Sequence, residues 1–483
     1  MATILQGLGI PAGEDQAQEV ALLRRYLQAL ENAPTDRTER YQALDLIHAR
    51  TLAAIAALPA LLGESGLPLS RRARARVKGT QDLAELLART FLATLDSIDA
   101  GPGLAQEALL WKIQHLLERH LFISALVAAP AAVGIWELSH RAYGLARERQ
   151  LHQATIPGTA STIEQEYAAA LLLNCAQPAS FSAQELKFIA DLIQRHGQLL
   201  EFLNGTDERH HGLFWVNPKR DTSAVAITRR LPPPETPVLW FSCDRLARHL
   251  RLRLKSLEEQ QASATDLDLP DFAATLAGRS VLRRIIEAWG NPARRRFPRR
   301  RQSYRAKLHV GLEALTGLLR HPDGHAGEGS TWMITNESPD GYALMHLAGS
   351  AGRLEVGDVV ALKPENPRNP QGNWQACMVR WALSENPEHL EIGLQILAPS
   401  AYPTTIGLFG ESPRSHAQAL LLPAIAGVRP KESLLVACGA LPQGHCLLVV
   451  EKDNLEIREV RLTGLEEQTN RVEIFALAPE EMP

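Results

Sequence analysis

The chain has 483 residues, with 51 Lys plus Arg against 54 Asp plus Glu and a formal net charge of −3. So even a balance excludes wholesale coating of a polyanion, and any anion binding must be local. At about 150 residues per domain the length allows about three domains, and 45% hydrophobic with 22% charged residues is the make-up of an ordinary soluble globular chain, with low aromatic content leaning toward helix.

The opening stretch, MATILQGLGIPAGEDQ, lacks the basic start and long apolar run of a signal peptide. From about residue 14 to 204 the periodicity is helical. Val20, Leu23, Leu27 and Leu30 recur at three-and-four spacing, Glu19, Arg24, Arg25, Gln28 and Glu31 fall mostly opposite, and Pro34 ends the run. The basic run SRRARARVK (70–78) sits in a helical pattern and reads as a solvated face. LFISALVAAPAAVGIW (121–136), the most apolar stretch, is interrupted by proline and short of the roughly 18 to 20 residues of a membrane span, so it reads as buried helix and loop. Trp136, Tyr143 and Ala146 stand at offsets found in tetratricopeptide-type helices, but the 34-residue period does not recur, which favours a plain bundle over stacked pairs. Ser182 and Glu185 form a capping box, with Phe181 stapled to Leu186, so a helix is expected to start at 183.

Between 205 and 290 the texture changes. GLFWVNP and PVLWFSC read as short strands joined by RRLPPPETP, and a helix follows on Leu246, Leu250 and Leu254. A second helix near 272–288 stops at Gly290-Asn291-Pro292. Next comes ARRRFPRRRQSYR (293–305), with Arg294, Arg295, Arg296, Arg299, Arg300 and Arg301 inside eight residues and Arg305 four positions on. Like charges at this density repel, and an anion is the natural compensation.

After 305 the period becomes two. AKLHVGLEAL places Leu308, Val310, Leu312 and Ala314 on one face, and GYALMHL, DVVALK, WQACMVRWAL and LEIGLQIL follow as further strands with turn residues between them, the pattern of an antiparallel barrel. RHPDGHAGEGST (320–331) reads as an enlarged hairpin loop. AQALLLPA, SLLVACG, CLLVVEK and RVEIFAL continue the pattern into a second, smaller β domain. The chain is thus expected to be multidomain α+β: an all-α domain (1–204), a small mixed module with a linker helix (205–290), a β barrel preceded by an arginine-rich tether (291–400), and a C-terminal β domain (401–483).

Two motifs give the first barrel a likeness. RxxxR stands at Arg295–Arg299, or in another register at Arg301–Arg305, and [D/N]xSxxG stands at Asn336, Ser338 and Gly341 in NESPDG. In this order, ahead of and within an antiparallel barrel, they resemble the PilZ domain family over about residues 291–400. The resemblance implies a six-stranded barrel that binds cyclic di-GMP, with Arg295, Arg296, Arg299, Arg300, Arg301 and Arg305 on a pliable tether and Asn336, Ser338 and Gly341 in a turn as ligand contacts. Arginine suits such a ligand because it pairs bidentately with phosphate or with guanine O6 and N7, and it stacks on bases. Asn336 stands where aspartate is commoner. Ser338 holds the turn or reaches the base, and Gly341 permits a positive φ or a close ligand approach.

Catalysis is not expected: there is no GxSxG, GxxxxGK[ST] or HExxH pattern. His210 and His211 read as exposed loop residues rather than metal ligands, and the pairs Glu466-Glu467 and Glu480-Glu481 as solvated faces. The five cysteines, Cys175, Cys243, Cys377, Cys438 and Cys446, form no CxxC pair and fit a reducing cytoplasm. The function so implied is a bacterial cytoplasmic cyclic di-GMP receptor without a cofactor or metal, whose ligand fixes the helical domain relative to the barrel and so signals to a protein partner. Alternatives are nucleic-acid binding by the arginine segment, or a ligand-independent scaffold built on a degenerate PilZ domain.

Overall fold

A computed structural model describes residues 15–32, 37–62, 66–96, 106–205, 211–292, 299–321, 329–366, 373–386, 389–408, 416–425, 429, 431–441, 445–451 and 455–479. The first helices are α1 (Gln16–Asn32), α2 (Arg37–Leu62), α3 (Arg71–Asp96) and α4 (Gln106–Leu126). They are followed by α5 (Ile135–Glu148), α6 (Ile163–Cys175) and α7 (Ala183–His196). The expected stripe of α1 is buried, Leu23, Leu27 and Leu30 completely. Glu19 turns inward with it, because Arg50 of α2 meets its carboxylate at 2.6 Å. The α7 cap forms as expected: Ser182 Oγ accepts from the Glu185 amide at 3.3 Å and the Glu185 carboxylate accepts from the Ser182 amide at 2.7 Å. Among the described residues, one helix is by length and composition apolar enough to cross a membrane, over Glu39–Leu62 in α2 rather than at 121–136. It packs Leu44, Ile47 and Leu58 into the shared core.

The basic run at 70–78 is not only a solvated face. Arg71 and Arg72 are exposed, but Arg74 donates to the carbonyl and hydroxyl of Ser384 on the first barrel at 2.8 and 3.0 Å. The mixed module is a four-stranded sheet, β1-β4-β2-β3, built from Glu201–Leu203, Leu213–Val216, Val225–Ala226 and Leu239–Ser242. Its first strand lies ahead of residue 205 because Glu201 to Leu203 pair with Ser242 to Trp240. Asp221, in the loop between β2 and β3, accepts from the amides of Gly134, Trp136 and Glu137 and so caps α5. The helices α8 (Asp244–Glu258) and α9 (Leu276–Gly290) complete the module, and Trp289 is fully buried with its indole donating to the Leu172 carbonyl. Helices, module and first-barrel interior share one continuous core.

The first barrel closes in the order β10-β7-β6-β5-β8-β9. Its strands are β5 (Arg300–Val310), β6 (Ser330–Ser338), β7 (Gly341–Ala348), β8 (Val359–Pro364), β9 (Gln375–Asn386) and β10 (His389–Ala398). Ala306, Leu308, Trp332, Ile334, Leu344, Val360 and Leu362 fill its interior. Three expectations change here. The strand expected through 314 stops at Val310, because Gly311 adopts a φ of 102° and the chain turns into α10, Leu312–Arg320. In that helix Leu315 and Leu318 are one turn apart and pack together, a spacing of three that period-two counting absorbs. The long interval before Asn336 therefore holds a helix; its remainder, 322–328, lies outside the described residues. Asn336 is not in a turn but in β6, paired between Arg301 and Ala343.

The C-terminal domain is a second closed barrel of six strands, β11-β12-β13-β16-β15-β14, equal to the first in strand number. β11 (Tyr402–Leu408) and the long β15 (Leu455–Gln468) escape sequence reading; the others are β12 (His416–Leu422), β13 (Ser433–Ala437), β14 (His445–Glu451) and β16 (Val472–Pro479). Apolar residues of α10, β8 and β9 meet Leu420, Leu422, Leu435, Val472 and Ile474 in a common core between the barrels. Arg320 adds a bidentate pair with Glu451 at 2.7 and 2.8 Å. Glu466 is exposed as expected, accepting from Ser433, but Glu467 is half-buried and pairs with Arg380 of the first barrel. Glu480 and Glu481 lie outside the described residues.

Candidate ligand cleft on the first barrel

A cleft of about 330 Å³ opens on the outer wall of the first barrel, lined by Arg299, the 336–343 hairpin, Arg380, Trp381, Gly393, Leu394 and Gln395. The hairpin is local in origin. Ser338 pairs with Gly341 across the two-residue turn Pro339-Asp340, and the Ser338 hydroxyl bonds to Asp340 Oδ1 at 2.6 Å and to the Gly341 carbonyl at 3.2 Å. Of the two roles open to Ser338, the structure gives it the turn.

Of the two purposes expected of Gly341, the positive φ is not found, and a Cβ there would lie 1.9 Å from the Leu394 carbonyl oxygen. The glycine lets the backbones of β7 and β10 come together. A similar constraint acts at Gly393, where a Cβ would meet the Trp381 indole at 1.7 Å. The ring therefore covers that glycine and offers the cleft a flat, half-buried aromatic wall.

Polar groups converge on this wall. Asn336 is half-buried in the cleft. Beside it the Glu337 carboxylate accepts from the Tyr304 hydroxyl at 3.2 Å and from Gln302 at 3.1 Å. Burial and the Glu337 charge push the Tyr304 hydroxyl pKa well up, so it remains a donor. Arg380 donates from Nε to Gln395 Oε1 at 2.6 Å and through its terminal nitrogens to Glu467.

The arginines separate. Arg295 and Arg296 lie outside the described residues. Arg299 reaches the cleft and also lines a larger one, about 1,340 Å³, with Arg229, Arg230, Arg283 and Arg284. Arg300, Arg301 and Arg305 are not in a tether: they belong to β5, opposite Glu337, Asn336 and Met333. Strand pairing fixes their backbone. The Met333 position is three residues from Asn336, roughly 10 Å at about 3.3 Å per residue, and Arg305 does not line the cleft. Arg380, Trp381 and Gln395 were invisible to motif reading. They come from β9 and β10 and reach Asn336 only through barrel closure, although the basic-aromatic pair in VRWAL was a usable hint.

Elsewhere, His210 lies outside the described residues and His211 is exposed. His115, Glu118 and Glu166 bring ligand atoms within 4.8 Å of one another. Each of the three has an internal partner: His115 Nδ1 bonds Glu166 at 2.8 Å, Ser161 also bonds Glu166, and Arg119 pairs with Glu118. All five cysteines are free, and only Cys438 is exposed.

Comparison with known proteins agrees with this geometry. Residues 9–207 match the family described as cyclic-di-GMP receptor FimW, N-terminal domain, and residues 324–403 match the FimW middle PilZ domain. The chain is 24% identical over 382 residues to the cyclic-di-GMP receptor FimW of Pseudomonas aeruginosa, an alignment covering 62% of this chain and 60% of that protein's length. The PilZ match begins downstream of the arginine segment and spans β6 to β10. Strand order, hairpin motif and matches agree that the first barrel is a PilZ domain.

Proposed function

We propose that this chain is a receptor for cyclic di-GMP, acting by binding rather than catalysis, with the ligand held between the 336–343 hairpin and the arginine segment that ends at Arg299. The observation that carries the reading is the convergence of Arg299, Asn336, Trp381 and Arg380 on one cleft. Two guanidinium groups suit two phosphates, Asn336 and Glu337 accept from guanine N–H groups, and Trp381 offers a stacking face. The cleft is at the low end of the roughly 300–1,000 Å³ of ligand sites, so one half of the ligand sits against the barrel while Arg295, Arg296 and Arg299 close over the other.

Arg299 in the cleft supports the Arg295–Arg299 register over Arg301–Arg305. Ser338 and Gly341 act by shaping the hairpin, and Arg300 and Arg301 by adding positive potential at its edge. Contact with the arginine segment couples the ligand to α9, whose Trp289 bonds the Leu172 carbonyl of the helical domain, and a protein partner reads the result. The cytoplasm, where thiols stay reduced, is the expected setting.

Calorimetric titration of cyclic di-GMP into the purified chain tests the reading. R295A, R299A and N336A should each weaken binding at least tenfold, while R305A should not. Loss of binding only in R301A and R305A would move the register. Failure of the intact chain to bind, together with single-stranded nucleic acid binding whose log–log salt slope is near −0.7 per phosphate contacted, would replace the receptor by the nucleic-acid reading.

A further inference from the structure

Arg380 faces two ways. It lines the cleft beside Trp381 and Asn336, and its two terminal nitrogens clamp the Glu467 carboxylate of the second barrel, one at 2.9 Å and the other closer still. Glu467 sits at the end of β15, where the β15–β16 hairpin crosses the first barrel. Next to it Thr469 donates to the Gly357 carbonyl at 3.1 Å, and Arg471 approaches Glu355 and Asp358 at 3.7 and 3.8 Å. Asn470, at the tip, reaches the capping Ser182 of α7 at 3.4 Å. The hairpin tip thus touches both the PilZ domain and the helical domain.

A carboxylate seated on an arginine at the edge of an anion cleft stands where a phosphate would compete. Burial alone would raise the Glu467 pKa, yet the Arg380 bonds and the charges of Arg380, Arg284 and Arg429 hold it below the ordinary value, so Glu467 is an anion throughout the neutral range. Arg380 is about one-third exposed and Glu467 about one-quarter, which leaves the pair open to exchange.

We propose that Glu467 is a built-in competitor for the ligand: it holds Arg380 in the ligand-free chain, and a ligand phosphate takes Arg380 over, freeing the β15–β16 hairpin tip from the PilZ domain. This rests on the receptor reading above and adds to it one binding residue, Arg380, and an output element in the C-terminal barrel. The apolar core between the barrels does not involve this pair, so the barrels stay joined and only the tip is released.

The test uses the full-length chain, with thermal unfolding of each variant as a folding control. E467Q removes the competitor's charge and should tighten cyclic di-GMP binding at least about fivefold, the lower edge of ordinary coupling between sites. R380A should weaken binding, and in the R380A background E467Q should change nothing. Amide exchange gives a second readout: in the wild-type chain the ligand should speed exchange over residues 466–471, and in E467Q those amides should be fast with or without ligand. Equal or weaker binding in E467Q, in a chain that otherwise binds, overturns the competition and leaves the receptor intact. No binding by the wild-type chain overturns the receptor reading and this inference with it.

Discussion

Gly341→Ala isolates what the motif glycine does. The added Cβ would stand 1.9 Å from the Leu394 carbonyl oxygen, whereas real contacts essentially never fall below 3.0 Å. The strands β7 and β10 must therefore part by at least 1.1 Å at Gly341↔Gln395, a registered pair of the closed barrel. The obstacle is backbone, so no rotamer change relieves it. Overpacking of this kind costs about 1–3 kcal/mol, and the upper half of that range is expected because a closed barrel has no free edge to yield. The assay is native-state amide exchange over β7 and β10 in the full chain, where about 2 kcal/mol corresponds to roughly thirtyfold faster opening. Gly317→Ala is the internal contrast: that exposed glycine lies in α10 with nothing within 4 Å of a Cβ, so alanine should stabilise by about 0.5–1 kcal/mol through helix propensity. Unchanged β7 and β10 exchange in G341A would refute the close-approach reading and return the glycine to a direct role at the ligand.

Two further outcomes follow from groups away from the cleft. Asp221→Ala strips three α5 amides of their acceptor and should cost about 1–2 kcal/mol, seen as faster exchange at residues 134–137, with D221N keeping most of the stability. Burial lifts the Asp358 carboxyl from 3.8 to about 6, with the Glu355 amide and Arg471 acting the other way. Between pH 4 and 6 the folded chain then binds more protons than the unfolded one, so this residue works against folding fully above pH 6 and ceases to as pH falls toward 4. D358N should be the more stable chain at pH 7, on the order of 2 kcal/mol, with the gap to wild type closing by pH 4 in urea titrations; a gap independent of pH would refute the assignment.

What the sequence disclosed depended on the range of the cause. The Ser182–Glu185 box and the Pro339-Asp340 turn are decided by side chains within three residues of each other, and both stand where expected. α10 misleads because Leu312 and Ala314 extend the alternation of Leu308 and Val310, and only the φ of Gly311 breaks it. β15 hides behind its charges: in LEIREVRLTGLEEQ Glu456 pairs with Arg458 of the same strand, whereas Glu467 finds its partner on the neighbouring barrel. Arg380, Trp381 and Gln395 could not be placed beside Asn336 without knowing that β9, β10 and β7 are consecutive around a closed barrel.

Charge compensation ties the two scales together. Arginines at the seams of this fold are answered by carboxylates: Arg50 by Glu19, Arg320 by Glu451, Arg458 by Glu432 and Glu456, and Arg380 by Glu467. Among the described residues, Arg299, Arg300, Arg301 and Arg305 are in no such ion pair. A chain of net charge −3 has acids enough to answer them, so the unpaired state of Arg299, Arg300 and Arg301 near the cleft reflects the place and not a shortage. On the receptor reading proposed above, unmatched guanidinium groups beside a half-buried amide and an aromatic wall would draw a phosphate toward the cleft before contact, and Glu467 would hold Arg380 back until the phosphate arrives.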